Sequence, residues 1–408
     1  MASRSALAPL REPLFRSLWI AAAISYIGKW IQMVGAAWLM TQLTTSPFMV
    51  GLVQAAIMLP VFLVVLPAGA LADIVDRRRY LLATQAWMVA AAGGLGILTL
   101  LGYVTPWILV LFTFLLGIGA VINDPAWQAI TPEVASPENH ATAVALNSAA
   151  FNVARAVGPA LGGFIIAATN SGVAFLVNAA GFTGVIVFLC RWRRPRTEPG
   201  DRERIIESMR SGFIYLRSAP LVHSVLVRTA AFSLAASSLL ALLPVIARTY
   251  GASGYGLLLG SFGVGALAGA ALLPHFRMRQ PVDRVIAGAS MVFALMTLMS
   301  GRLEGFAWLL GVLFLAGGAW ISVVACLNVA AQTMAPGGMR ARAISVYLLI
   351  LQGGMALGSA GWGALASKIG IPAAMLWSAA ALVAGLAAVR RYRLALEEPE
   401  LTPTISAD

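Results

Sequence analysis

Charge is what this chain has least of. Asp, Glu, Lys and Arg together make up 11% of its 408 residues, against 60% hydrophobic residues and a mean hydropathy of +0.84. A water-soluble fold needs a polar surface to cover its core, and this composition cannot supply one. Lipid is therefore the expected solvent for most of the chain. Cysteine is nearly absent, and Cys190 and Cys326 both fall in apolar segments without a ligand-spaced partner, which excludes a disulfide framework and a cysteine metal site. A membrane enzyme would need a convergent nucleophile, base or metal cluster, and neither H-E-x-x-H nor G-x-S-x-G occurs. No enzyme and no cofactor is expected. The three histidines, His140, His223 and His275, all stand near the ends of apolar runs and read as interfacial.

What the sequence does contain is length in apolar runs. A bilayer core about 30 Å thick needs roughly 20 apolar residues per helix, and twelve stretches qualify. They are 17–43, 47–71, 80–102, 106–131, 141–168, 171–190, 222–247, 254–274, 283–301, 305–333, 341–367 and 371–389. The first is too long for a cleaved signal peptide and is kept as a helix. Every second gap is loaded with arginine: Arg4, Arg11 and Arg16, then Arg77 to Arg79, then the cluster from Arg191 to Arg217, then Arg277, Arg279 and Arg284, then Arg340 and Arg342, then Arg390, Arg391 and Arg393. The alternate gaps hold only Arg248, Arg302 and Lys368. Positive charge is retained on the cytoplasmic side during insertion, so both termini are expected in the cytoplasm of a multi-pass protein of the plasma (bacterial inner) membrane. The formal net charge of +12 is explained by this topology and by anionic head groups, with no nucleic-acid partner.

The only long polar interval, Arg191 to Ser218, divides the chain into two sets of six helices. The expected units are a first bundle at 1–190, a cytoplasmic linker at 191–221, a second bundle at 222–396 and a disordered acidic tail at 397–408. Within the linker Ile205, Ile206, Met209, Phe213 and Leu216 recur at helical spacing opposite Arg202, Glu203, Arg210 and Arg217, as in an amphipathic helix lying on the membrane surface. A shift of 200 residues superposes Ala143 on Ala343, Gly158 on Gly358 and Gly163 on Gly363. A six-helix repeat of this kind fits two bundles that rock about a site near the membrane midplane.

Between the second and third runs the chain reads Gly69-Ala-Leu-Ala-Asp73-Ile-Val-Asp76-Arg77-Arg78-Arg79. This resembles the loop signature of the major facilitator superfamily, G-x-L-a-D-r-x-G-r-k, with Ile74 and Asp76 as departures from it. The resemblance implies an all-α integral membrane fold of 12 transmembrane helices in two six-helix bundles. It also implies a conformational latch, in which Asp73, with Gly69, Arg77 and Arg78, meets the positive end of the eleventh helix near Arg340 and Arg342. A contact of that type contributes about 0.3 to 2 kcal/mol. The run Arg155-Ala-Val-Gly158-Pro159-Ala-Leu-Gly162-Gly163 resembles the glycine-proline signature of the superfamily's exporters, G-P-x-x-G-G. Small residues let two helices touch backbone to backbone while proline bends one of them; the resemblance implies a seal that favours antiport. Ordinary small-residue packing explains the glycines equally well. Asn123-Asp124-Pro125-Ala-Trp127-Gln128, continuing through Pro132 and Glu133, resembles the branch containing the enterobactin exporter and macrolide efflux proteins.

Lys29, Asp124 and Arg155 stand well inside predicted spans, where a charge costs about 2.5 to 3.5 kcal/mol on insertion scales and so needs a cavity or a partner. Helical spacing aligns Ser25, Lys29 and Gln32 on one stripe, Asp124 and Gln128 on a second, and Ser148, Asn152 and Arg155 on a third. In the superfamily the first, fourth, seventh and tenth helices line the central cavity, so Lys29 and Asp124 are expected to share it. Asp124 is the expected proton carrier, with Lys29 bridging to it; a permanent structural pair of the two is the competing reading. Asn123, Trp127, Asn328, Gln332 and Tyr347 complete the expected cavity lining. Lys29 and Arg155 against Asp124 leave the interior at +1, which favours cargo with an acidic or electron-rich group. The expected protein is a proton-coupled exporter, acting as a monomer on a small amphipathic drug or siderophore. A lysophospholipid flippase or an uptake symporter on the same fold are the rivals.

Overall fold

In the computed structural model, residues 7–192, 220–333, 340–392 and 394 are described, with only the backbone given at 65–74, 131–132, 220–222 and 341–342. Twelve long helices run through them: α1 (Pro13–Leu43), α2 (Pro47–Ile74), α3 (Arg77–Leu100), α4 (Pro106–Val134), α5 (His140–Ala168), α6 (Ser171–Arg191), α7 (Pro220–Ile246), α8 (Gly251–Arg279), α9 (Val282–Ser300), α10 (Phe306–Thr333), α11 (Arg340–Ile369) and α12 (Ile371–Ala388). Of the linker expected at 191–221, residues 193–219 lie outside the described residues, as does the whole acidic tail; Arg191 closes α6 and Pro220 opens α7.

Local chemistry sets the ends. Proline opens α1, α2 and α4, where the missing N–H has no intrahelical role. Asp76, Thr105 and Asn170 cap α3, α4 and α6 by accepting from the N–H groups of Arg79, Ile108 and Val173. Apolar length separates into eleven candidate membrane spans, one of them the 57-residue run His223–Arg279. That run folds as two helices, because a short 3-10 turn over Ala247–Tyr250 leads into Gly251 at φ +71°, a conformation open to glycine, where the chain reverses. Every predicted span therefore has its helix. The largest difference lies in α8, which continues past Pro274 to Arg279: hydropathy ends at the lipid boundary, whereas backbone hydrogen bonding does not.

Within the first set of six, α1 packs on α5 and α6, α2 on α4, and α3 on α4 and α6. The second set repeats the scheme with α7 on α11 and α12, α8 on α10, and α9 on α10 and α12. Two further pairings join the bundles, α2 with α11 and α5 with α8, and they exchange under the same correspondence. Both rest on glycine. A Cβ at Gly163 would meet the Gly256 Cα at 2.9 Å, and one at Gly363 would meet the Gly51 Cα at 3.3 Å, so the helices approach backbone to backbone.

An even number of helices returns the described ends to one face. On the opposite face the bundles are pinned together. Arg248 donates to the carbonyl oxygens of Thr44 at 2.6 Å and Thr41 at 3.2 Å, so a guanidinium satisfies the free carbonyls at the negative end of α1. Beside it the Phe48 N–H donates to Ser367 Oγ at 3.0 Å, and Trp38 stacks on Tyr255 with centroids 6.4 Å apart.

Candidate functional site: a polar cavity in the first bundle

A cavity of about 380 Å³ opens among α1, α2, α3, α4 and α6, with Phe151 of α5 at its edge and Gln352 of α11 as its one lining residue from the second bundle. Its wall mixes methionines and aliphatic residues, Met33, Met58, Met88 and Leu116 among them, with a minority of polar groups. Of the sequence-predicted residues, Ser25, Lys29, Gln32, Asn123, Asp124 and Trp127 line it. The spacing of Ser25, Lys29 and Gln32 along α1 brings one stripe to the wall. The α4 residues reach it because the apolar stripe of that helix packs on α2 and α3 and turns the other face inward.

Lys29 and Asp124 are both exposed to this space. Along their helices Lys29 stands about 24 Å from the start of α1, and Asp124 about 15 Å from the end of α4, at 1.5 Å per residue. No ion pair between them is found among the described residues, and both line the cavity wall. Trp127 is fixed by donating to the Tyr26 hydroxyl at 3.0 Å, and Tyr26 donates to Asn147 Oδ1 at 3.3 Å while meeting Phe151 edge-on at 5.5 Å. This chain of contacts holds α4, α1 and α5 in register at the cavity rim.

Other expected lining residues are elsewhere. Tyr347 has no exposed surface and donates its hydroxyl to the Val324 carbonyl, tying α11 to α10. Gln332 donates to Asn328 one turn away on α10, and Asn152 donates to the Ser148 carbonyl on its own helix. Gln128 is exposed and Arg155 half-buried, and neither reaches the wall of the cavity. With Arg155 outside, the cavity carries one charge of each sign instead of the expected excess of +1.

The glycine-proline run has a double contact. A Cβ at Gly158 would meet the Trp30 Cβ at 2.6 Å and one at Gly162 the Ile31 Cα at 3.0 Å, so both seat α1. Gly163 seats α8 from the second bundle, and the Pro159 carbonyl abuts Gly256. Of the latch residues, only the backbone of Gly69, Asp73 and Arg342 is described, and Arg340 is exposed at the start of α11. Arg77 pairs with Glu133 at 2.6 Å, and Arg78 donates to the Leu189 and Cys190 carbonyls at the end of α6. Both arginines thus find partners inside the first bundle.

Sequence reasoning missed Gln85, Asn178, Tyr26 and Gln352 in the wall. It also missed Arg228, 8% exposed on α7 and paired with Asp283 of α9 at 2.6 Å. A single amide inside an apolar run was the available signal for Gln85 and Asn178, since an uncharged polar side chain in lipid also needs a partner.

Two six-helix bundles of matching connectivity, meeting at glycine-rich helix pairs around an internal cavity, define a multi-pass membrane transporter of the major facilitator type and not an enzyme. Solved structures agree on the fold: a bacterial homologue of the human lysosomal transporter Spinster, inward-facing and occupied, matches with a TM-score of 0.72 at 16% identity over 95% of this chain and 98% of that one. The nucleoside transporter NupG matches with a TM-score of 0.70 at 14% identity over 93% of this chain and 98% of that one. The family described as transmembrane secretion effector matches residues 4–406, and the chain belongs to it. Among its relatives, the enterobactin exporter EntS of Escherichia coli is 26% identical over 94% of both chains. The staphyloferrin A transporter of Staphylococcus aureus is 28% identical over 40% of this chain and 42% of its own length.

Proposed function

We propose that the protein is a proton-coupled exporter that exchanges protons for a small amphipathic molecule, most closely a siderophore, by rocking of its two bundles. The observation that carries this reading is Asp124, an ionisable residue in the middle of an apolar helix, exposed to a cavity of about 380 Å³ that it shares with Lys29. An intramembrane carboxylate open to a cavity takes up a proton when the cavity faces the acidic side and yields it when the bundles tilt. Lys29, on the same wall, offers the cargo a cation. The methionine-rich remainder of the wall suits an adaptable apolar body. Export is supported by the relatives' exporter and by the glycine-proline contact between α5 and α8; siderophore cargo is supported by both relatives' names. The pinned face opposite the chain ends accords with a cavity that opens toward the cytoplasmic side, the side on which arginine places the termini.

The test is counterflow in reconstituted vesicles under an imposed proton gradient, with catecholates, macrolides and lysolipids as trial cargoes. Asp124→Asn should lower gradient-driven transport about 100-fold, within the range for a positioned proton-transfer group, while cargo exchange without a gradient persists. Full coupled transport in the variant would remove Asp124 as the carrier, and lysolipid as the sole cargo would favour a flippase.

A further inference from the structure

In the wall of the same cavity four carboxamide side chains from four helices stand in two pairs, Gln32 of α1 with Asn178 of α6 and Gln85 of α3 with Asn123 of α4, all at most 8% exposed. They bond to one another only in part. Asn178 Nδ2 donates to Gln32 Oε1 at 3.4 Å, and Gln85 Nε2 to Asn123 Oδ1 at 3.1 Å, an oxygen also taken by the Thr84 hydroxyl at 3.2 Å. Gln32 Nε2, Gln85 Oε1 and Asn178 Oδ1 have no partner. A membrane protein does not leave buried polar groups unmatched without a reason. The packing also favours this placement: α1 carries Gly28 where a Cβ would lie 2.9 Å from Asn178 Oδ1, which makes room for the amide. At the counterpart contact of the second bundle the polar groups are matched, since Ser378 of α12 bonds Ser238 of α7 at 2.6 Å and donates to the Ala235 carbonyl at 2.9 Å.

We infer that this carboxamide cluster is a cargo subsite that recognises a neutral group able both to accept and to donate a hydrogen bond, of the hydroxyl or carboxamide class. Such a group accepts from Gln32 Nε2 and donates to Asn178 Oδ1 or Gln85 Oε1. A carboxylate has no proton for the two orphan oxygens and is turned away from them; an ether can only accept. The apolar remainder of the cargo then lies along Met33, Met88 and Leu116. The inference rests on the cavity being the cargo site and adds to that reading which chemical group is selected and by which bundle.

Binding of 4-hexylcatechol and of its dimethyl ether, neither of which carries a carboxamide, to the purified full chain is read from quenching of tryptophan fluorescence, Trp30 and Trp127 standing in the cavity wall. The dihydroxy probe should bind about tenfold tighter than the ether, because the ether leaves the orphan oxygens unmatched. Gln85→Met and Asn178→Leu, near-isosteric changes that each remove an orphan oxygen and are checked for folding by melting temperature, should each reduce that ratio at least threefold while leaving the ether's affinity unchanged. Equal affinities in the native protein, an undiminished ratio in both variants, or no binding of either probe would overturn the subsite. Asp124→Asn leaves the binding ratio intact whether or not proton coupling survives, so the two readings fail separately.

Discussion

The two bundles share their main helix pairings and differ in what fills them. In the first, α1, α3, α4 and α6 enclose about 380 Å³ lined by Lys29, Asp124 and amides; in the second, the corresponding α7, α9, α10 and α12 line a pocket of about 30 Å³. The difference comes from side-chain volume. Phe232, Phe293 and Trp320 meet between α7, α9 and α10 with centroids 5.4 to 5.8 Å apart, each pair in the tilted geometry that aromatic quadrupoles favour. The second bundle's charge is likewise spent internally, Arg228 against Asp283. A repeat can therefore preserve the helix contacts that let two halves rock while assigning chemistry to one half and rigidity to the other.

The sharpest way to break this contrast is to exchange the fillings. Trp320→Ala should cost about 3 to 5 kcal/mol of stability, since α9 and α7 cannot collapse into the space left by an indole. Its melting temperature in detergent should fall while transport per folded molecule is retained. Ala120→Trp should do the reverse, filling the cavity wall at α4 and lowering transport more than tenfold with little change in melting temperature. Equal losses of transport in both variants would mean that the bundles share the cargo.

Arg228→Met probes the second bundle's rigidity at a smaller scale. Removing one partner of a fully buried pair costs about 3 to 5 kcal/mol, and because Asp283 is 31% exposed the expected loss is nearer 2 kcal/mol. Adding Asp283→Asn should recover part of it, a non-additivity that a melting series over the four proteins measures.

The contact between the bundles comes next. Gly163→Val inserts methyl groups where even a Cβ would meet the Ala252 carbonyl at 2.6 Å, and overpacking of this kind costs about 1 to 3 kcal/mol. Because that cost falls only on conformations in which α5 and α8 touch, the variant should populate the state opened on the face of Arg248. Accessibility of a cysteine placed at Thr44 to a membrane-impermeant maleimide reads the shift.

How much of this was legible in the sequence depends on the kind of signal. All twelve helices were, because apolar length and alternating arginine are properties of single segments. So was the stripe from Ser25 to Gln32, since helical periodicity puts i, i+4 and i+7 on one face. The partners were not. Lys29 and Asp124 looked like a pair because their signs are opposite, and sequence spacing within each helix says nothing of the distance between α1 and α4 at those positions. Tyr347 read as a cavity aromatic, yet its partner is a carbonyl on α10. Gln85 and Asn178 were overlooked since a lone amide alters the hydropathy of an apolar run far less than a charge does. The latch around Asp73 was legible as a motif, and its side chain lies outside those described.

The smallest expected effect compares how each bundle ties down an end of the chain. In the second, Asp283 lies 3.5 Å from the Leu394 N–H while it holds Arg228; in the first, Glu12 at the head of α1 accepts from Ser136 Oγ at 2.7 Å, Asn139 Nδ2 at 2.8 Å and the Ser136 N–H at 3.1 Å. Those donors, Asn139 foremost and then Ser136, hold the Glu12 carboxyl below its ordinary value of 4.5. A carboxyl whose folded value lies below its unfolded one stabilises the fold above the unfolded value and loses that contribution as pH falls through the folded value. The melting temperature of the native protein should therefore drop more steeply below pH 4.5 than that of Glu12→Gln, with the two curves converging at the acid end. Near the surface the gap at neutral pH should stay within about 1 kcal/mol. Parallel curves through the acid range would show that the link from α1 to the α4–α5 turn depends on shape alone, leaving Asp283 as the only carboxylate whose charge secures a chain end among the described residues.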